Sequence, residues 1–79
     1  MKGIPNMGTS TKSIEQISET VKVHRTENGW SQLELATRAG LDRKTVNRIE
    51  NGRFSPSVET LLAVSTALGV SVNTLLGEK

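Results

Sequence analysis

The chain has 79 residues, no cysteine and a formal net charge of +2. That length makes one small domain, close to the size at which a single core only just suffices, and the lack of cysteine excludes a disulfide framework or a Cys-based zinc site. The longest unbroken apolar run, Leu61 to Val64, falls far short of the ~20 residues that span a bilayer, and no secretory leader pattern is present, so a cytoplasmic protein is expected.

Residues 1–12, with Gly3, Pro5, Gly8 and a Thr-Ser-Thr run, show no apolar periodicity and read as a flexible N-terminal arm. A helix is expected from Ser13, with Ser13 and Gln16 in capping-box positions and Ile14, Ile17 and Val21 at helical spacing. It should end near Asn28-Gly29. Next, Ser31 and Glu34 form a second capping box, and Trp30 before the cap can staple on Leu35. Leu35, Ala36 and Ala39 make the inward stripe of this helix, which Gly40 closes.

The following stretch, Leu41 to Gly52, is a short helix with two unlike faces. At about 100° per residue, Arg43, Lys44, Asn47, Arg48 and Asn51 share one arc, while Thr45, Val46 and Ile49 share the other. Asp42 is placed to cap its start and Gly52 to end it. Two short helices joined by three residues that include a glycine make a helix-turn-helix signature. A helix this short does not hold in isolation, so it needs the rest of the chain as a supporting body. Beyond the loop Arg53-Phe54-Ser55-Pro56, a helix from Ser57 places Val58, Leu61, Leu62, Ser65 and Leu68 on one side and stops at Gly69. A last turn from Ser71, stapled by Val70 on Leu75, stops at Gly77. The expected organisation is an arm over 1–12, an all-α domain of five helices over 13–77, and a tail at 78–79.

Charge is unevenly spread. Residues 38–53 carry Arg38, Arg43, Lys44, Arg48 and Arg53 against Asp42 and Glu50, whereas the segment before is balanced and the one after slightly acidic. A positive field concentrated on one helix is the footprint of a nucleic-acid contact, against the plainer reading of a solvated charged face. Nothing suggests an enzyme. There is no nucleophile paired with a base and no phosphate-cradling glycine loop, and the single His24 has neither cysteine nor paired carboxylate to make a metal site. No cofactor and no metal are expected. Trp30 reads as a staple, Phe54 as a loop plug against the core, and His24 as a surface residue.

Ser31-Gln32, Glu34-Leu35-Ala36, Gly40, Leu41, Val46, Ile49-Glu50-Asn51-Gly52, Pro56-Ser57, Leu61-Leu62, Ala67-Leu68-Gly69-Val70-Ser71 and Leu75-Leu76 occur in an order and spacing that resembles the lambdoid phage repressor and Cro type of helix-turn-helix DNA-binding domain, the XRE family. The resemblance covers about residues 14–77. It implies a compact five-helix bundle of the lambda-repressor-like type whose second helix crosses the DNA backbone and whose third enters the major groove. Residue by residue, it implies base contacts by Arg43, Lys44, Asn47, Arg48 and Thr45. Phosphate contacts fall to Gln32, Ser31, Arg53 and Ser55, and Gln32 also braces the third helix. It also implies a structural ion pair between Arg25 and Glu50. Asp42 stands where the family often has Ser or Thr, and its carboxylate is left out of the contact set.

The function implied is a sequence-specific, double-stranded DNA-binding transcriptional regulator, a repressor acting as a homodimer on a pseudo-palindromic operator. The resemblance places the dimer interface at Val70, Val72, Asn73, Leu75 and Leu76, with one of the two leucines reserved for the monomer core. An antitoxin or a restriction-modification controller would use the same DNA surface together with a toxin or other regulatory protein partner. A protein-binding adaptor on the same fold would instead show an apolar or acidic third helix.

Overall fold

The computed structural model describes residues 6–53 and 55–77, and within the first helix the side chains from residue 14 onward. The expected plug role of Phe54 and the tail at 78–79 lie outside the described residues. The fold is all-α: α1 (Asn6–Glu27), α2 (Gln32–Ala39), α3 (Arg43–Glu50), α4 (Val58–Leu68) and α5 (Val72–Leu75). Among the described residues there is no strand, and no helix is long and apolar enough to cross a membrane.

Four of the five helix starts follow from one local device. Ser31, Asp42, Ser57 and Ser71 sit in extended backbone, and each side chain accepts the N–H three residues on, satisfying one of the donors that a helix leaves free at its N-terminus. Only half of the expected capping box forms at α2. Ser31 Oγ accepts from the Glu34 N–H at 3.0 Å, but the Glu34 carboxylate turns to Arg38, 2.6 Å away. Arg38 in turn lies 4.3 Å over the Trp30 ring.

The start of α1 differs from expectation. Ser13 lies inside the helix instead of capping it, and the helix runs back to Asn6 through most of the stretch read as an arm; residues 1–5 lie outside the described residues. From Asn6 to Lys12 there is no proline, and once a helix is anchored each added residue costs little. The hydroxyl-rich sequence therefore gives no barrier at which to stop.

All five helices contribute to one core: Ile17 and Val21 from α1, Leu35 and Ala36 from α2, Val46 and Ile49 from α3, Val64 and Leu68 from α4, and Leu75 from α5. Trp30, Leu41, Leu61, Ala67, Val70 and Leu76 pack around it. Each large apolar side chain so enclosed contributes about 1.5–3 kcal/mol relative to exposure. In α4 the inward stripe is Leu61, Val64, Ser65 and Leu68, whereas Val58 and Leu62, expected inside, are 71% and 50% exposed. The angle at which α4 meets α2 and α5 decides between two overlapping apolar stripes, and Val64 is taken in place of Val58.

The expected interface set at the C-terminal end is also divided. Leu75 is fully enclosed, so it belongs to the monomer core and has no surface to offer a partner. Val70, Val72 and Leu76 are half-buried and Asn73 is exposed.

Candidate nucleic-acid interface

The turn between α2 and α3 is closed by backbone hydrogen bonds. Gly40 takes φ +72°, its N–H donates to the Thr37 carbonyl at 3.3 Å, and the Leu41 N–H donates to Ala36 at 2.8 Å. This Schellman arrangement requires a left-handed residue, which glycine adopts without strain. Two residues later Asp42 starts α3. The same device ends α3: Gly52, at φ +65°, donates to Ile49 at 3.1 Å and Arg53 to Arg48 at 3.2 Å. Asn51 is thus the capping residue and Gly52 the one that turns the chain.

Asp42 Oδ1 accepts the Thr45 N–H at 2.9 Å. Hydrogen bonding to Thr45 holds its carboxyl below the usual carboxylate range. Since the folded state favours the ionised form, the cap is at full strength above the unfolded value of about 3.9 and is lost as pH falls through the lower folded value. Asparagine caps comparably and does not titrate. Asp42→Asn is therefore expected to keep the neutral-pH urea midpoint and to show a shallower fall in that midpoint between pH 5 and pH 2, a range set by the ordinary carboxylate pKa of about 3.9. Identical acid limbs in the two proteins would remove Asp42 as a source of that fall.

Val46, Ile49 and Glu50 form the buried side of α3, and Arg43, Lys44 and Arg48 are exposed on the other. None of these three, nor Arg53 after the helix, makes an ion pair among the described residues, where the salt bridges are Arg25–Glu50 and Arg38–Glu34. Arg38 is thereby removed from the free positive charge, and Glu50 is neutralised from inside.

Glu50 is held from three directions. Arg25, in the last turn of α1, places Nε 2.6 Å from Oε2 and Nη2 2.9 Å from Oε1, a two-pronged pair. Its third donor, Nη1, reaches the Trp30 carbonyl at 2.7 Å and ties the α1–α2 turn to the same guanidinium. The Gln32 amide donates to Oε1 at 3.1 Å. Ser18 on α1 donates to the Glu50 backbone carbonyl, which would otherwise be an open acceptor near the end of α3. Hydrogen bonding to Glu50 raises the Arg25 pKa further above its ordinary value, against the opposing effect of burial. One face of α1 thus carries both the core residues Ile17 and Val21 and the polar clamp Ser18 and Arg25. The angle of α3 is set by packing and hydrogen bonding from the same helix.

Two residues expected to face DNA have internal partners. Gln32 gives one N–H to Glu50 and its carbonyl accepts from Asn47 Nδ2 at 3.2 Å, which leaves one N–H unspent. Asn47 is half-buried, and its own carbonyl accepts from Asn51 Nδ2 at 3.0 Å. Each end of that amide thus makes one bond inside the protein, so Asn47 braces α3 against α2, and one N–H and one lone pair of the amide remain. Ser31 spends an acceptor on its cap and keeps its hydroxyl proton; Ser55 is exposed and Thr45 half-buried. Asn47, Arg48, Asn51 and Arg53 line an open groove at the far end of α3; sequence reasoning put the first three on one arc and Arg53 in the loop beyond, without foreseeing the amide network.

A helix-turn-helix family model matches residues 21–75. The HTH-type transcriptional regulator SinR of Bacillus subtilis (strain 168) is 44% identical over 64 residues, covering 80% of this chain and 58% of that protein. The immunity repressor protein of Bacillus phage phi105 is 38% identical over 63 residues, covering 80% and 44%. Among solved structures, the restriction-modification controller protein C.AhdI from Aeromonas hydrophila superposes with a TM-score of 0.75 at 32% identity, covering 78% of this chain and 94% of that one. The chain spans about half the length of the two curated relatives.

Proposed function

The chain belongs to the helix-turn-helix family, and from that footing we propose that it is a sequence-specific regulator of transcription that binds double-stranded DNA with α3 in the major groove. The observation that carries this reading is the outward side of α3, where Arg43, Lys44 and Arg48 stand exposed with no acidic partner among the described residues. Arg43, Lys44, Arg48 and Thr45 are assigned to base edges, since a guanidinium can bond guanine O6 and N7 together. Ser31, Arg53, Ser55 and the spare N–H of Gln32 are assigned to phosphates.

A helix of this length reads only a few base pairs, so useful specificity calls for a symmetric dimer on half-sites about one helical turn, ~34 Å, apart. Val70, Val72, Asn73 and Leu76 are the residues assigned to that contact. The regulator is assigned to the cytoplasm and, as the similarity to the phage immunity repressor favours, to repression. The similarity to C.AhdI supports a second reading, a controller that acts on the same kind of DNA surface within a restriction-modification system.

Selection from random duplex DNA is expected to recover a two-fold symmetric motif, bound with log affinity falling linearly in log salt at about −0.9 per phosphate neutralised. Failure to enrich any motif would reduce α3 to a nonspecific basic surface. On the recovered site, Arg43→Ala should lose about 1–3 kcal/mol of discrimination at one base pair per half-site, whereas Arg53→Ala should weaken all sequences alike and lower the salt slope by about 1. Equal, sequence-blind losses from both variants would remove Arg43 from the base contacts.

A further inference from the structure

An ionised carboxylate can only accept hydrogen bonds, whereas a side-chain amide has one accepting and one donating end. Glu50 therefore obliges Gln32 to present its NH2 group, at 3.1 Å from Oε1. The Gln32 carbonyl is turned toward α3 and can receive only a donor, which Asn47 Nδ2 supplies at 3.2 Å. Asn47 in turn shows its carbonyl to Asn51 Nδ2, at 3.0 Å. At each step the orientation of one amide leaves a single choice for the next. The series begins at the Arg25–Glu50 pair, where Arg25 holds both carboxylate oxygens, and ends at Asn51, which is exposed on the groove between Arg48 and Arg53. Asn51 Oδ1 accepts no hydrogen bond from the protein among the described residues.

We propose that Gln32 and Glu50 are positioning residues for base selection: the one-way amide chain fixes Asn51 with its carbonyl toward the groove and Asn47 with a lone N–H donor. This rests on the reading of α3 as the groove-facing helix. An outward carbonyl beside two guanidinium groups accepts from an exocyclic amino group, adenine N6 or cytosine N4, and rejects the acceptors of guanine and thymine at the same place. Without the chain Asn51 could rotate to offer either end, and the same surface would bind without choosing. Gln32 thus acts on specificity through Asn47 and Asn51 while its spare N–H remains available to a phosphate.

Gln32→Met keeps the length of the side chain and removes both amide ends. Ser31 still caps α2 and Gln32 is not among the core residues, so the fold is expected to persist. Two measurements test the chain. Without DNA, the side-chain NH2 resonances of both Asn47 and Asn51 should move in Gln32→Met while the Arg25 Nε–H resonance, paired with Glu50, stays in place. With DNA, Gln32→Met and Asn51→Ala should each relax preference at the same base pair by about fivefold to tenfold, the lower part of the range for a base contact.

A Gln32→Met protein that weakens every sequence equally, or whose Asn51 amide does not move, overturns the proposal. If the wild-type protein enriches no motif, the DNA-reading function fails and the specificity role falls with it. The amide resonances then still report whether the chain of hydrogen bonds exists.

Discussion

Glu50→Ala and Arg25→Ala are each expected to lower stability by about 3–5 kcal/mol, the cost of leaving one partner of a buried ion pair alone. The carboxylate side chain is 2% exposed and the guanidinium 14%. Arg25→Ala strands the more deeply buried group, and it also frees the Trp30 carbonyl that Nη1 holds at 2.7 Å. It should therefore be at least as damaging as Glu50→Ala, in which Arg25 keeps its bond to Trp30. A single domain has about 5–15 kcal/mol in total and a small one stands near the lower end, so either variant sits close to its unfolding midpoint without denaturant.

The same reasoning predicts that loss of both charges is milder than loss of one. Arg25→Met combined with Glu50→Leu replaces the pair by apolar groups of similar reach, a change that is often neutral or stabilising. The double variant should recover most of the urea midpoint and leave Gln32 without its acceptor. Urea unfolding of the two singles and the double, arranged as a double-mutant cycle, checks this. Losses under 1 kcal/mol in both singles would show that water reaches the pair and that the angle of α3 is set by Val46 and Ile49 alone.

The features legible in the sequence are those decided within four or five residues. Ser31, Asp42, Ser57 and Ser71 announce helix starts because a side-chain oxygen three residues before a free N–H needs no distant partner, and Gly40, Gly52 and Gly69 announce the ends. The basic side of α3 was legible for the same reason, since 100° steps alone bring Arg43, Lys44 and Arg48 together. Features settled between elements were not legible. Val58 and Val64 are equally apolar, and only the way α4 meets its neighbours decides which of them is buried. Gln32 and Asn47, fifteen residues apart in the chain, meet because the α2–α3 turn folds one helix onto the other, and no periodicity encodes that. Glu50 is intermediate: no local pattern links it to Arg25, twenty-five residues away, and only the family resemblance paired the two.

Leu75→Ala is expected to cost about 2–5 kcal/mol in folding, because Leu75 lies in the monomer core and outside the proposed dimer contact. α5 is one turn, Val72–Leu75, far too short to be helical by itself, and it is held by docking against α1 and α4. Leu75 is the side chain of that turn that is fully enclosed, so truncating it opens a cavity and loosens the whole C-terminal segment. Leu76, one position on, is half-buried and can pack against the core while leaving an edge for a second chain. Leu76→Asp should therefore shift the proposed monomer–dimer equilibrium toward monomer with a smaller loss of stability than Leu75→Ala. Sedimentation equilibrium combined with urea unfolding separates the two effects. If Leu75→Ala leaves the unfolding midpoint in place and weakens association instead, α5 must detach from its own core on dimerisation and deliver Leu75 to the partner, and Leu75 is then a contact residue instead of a core one.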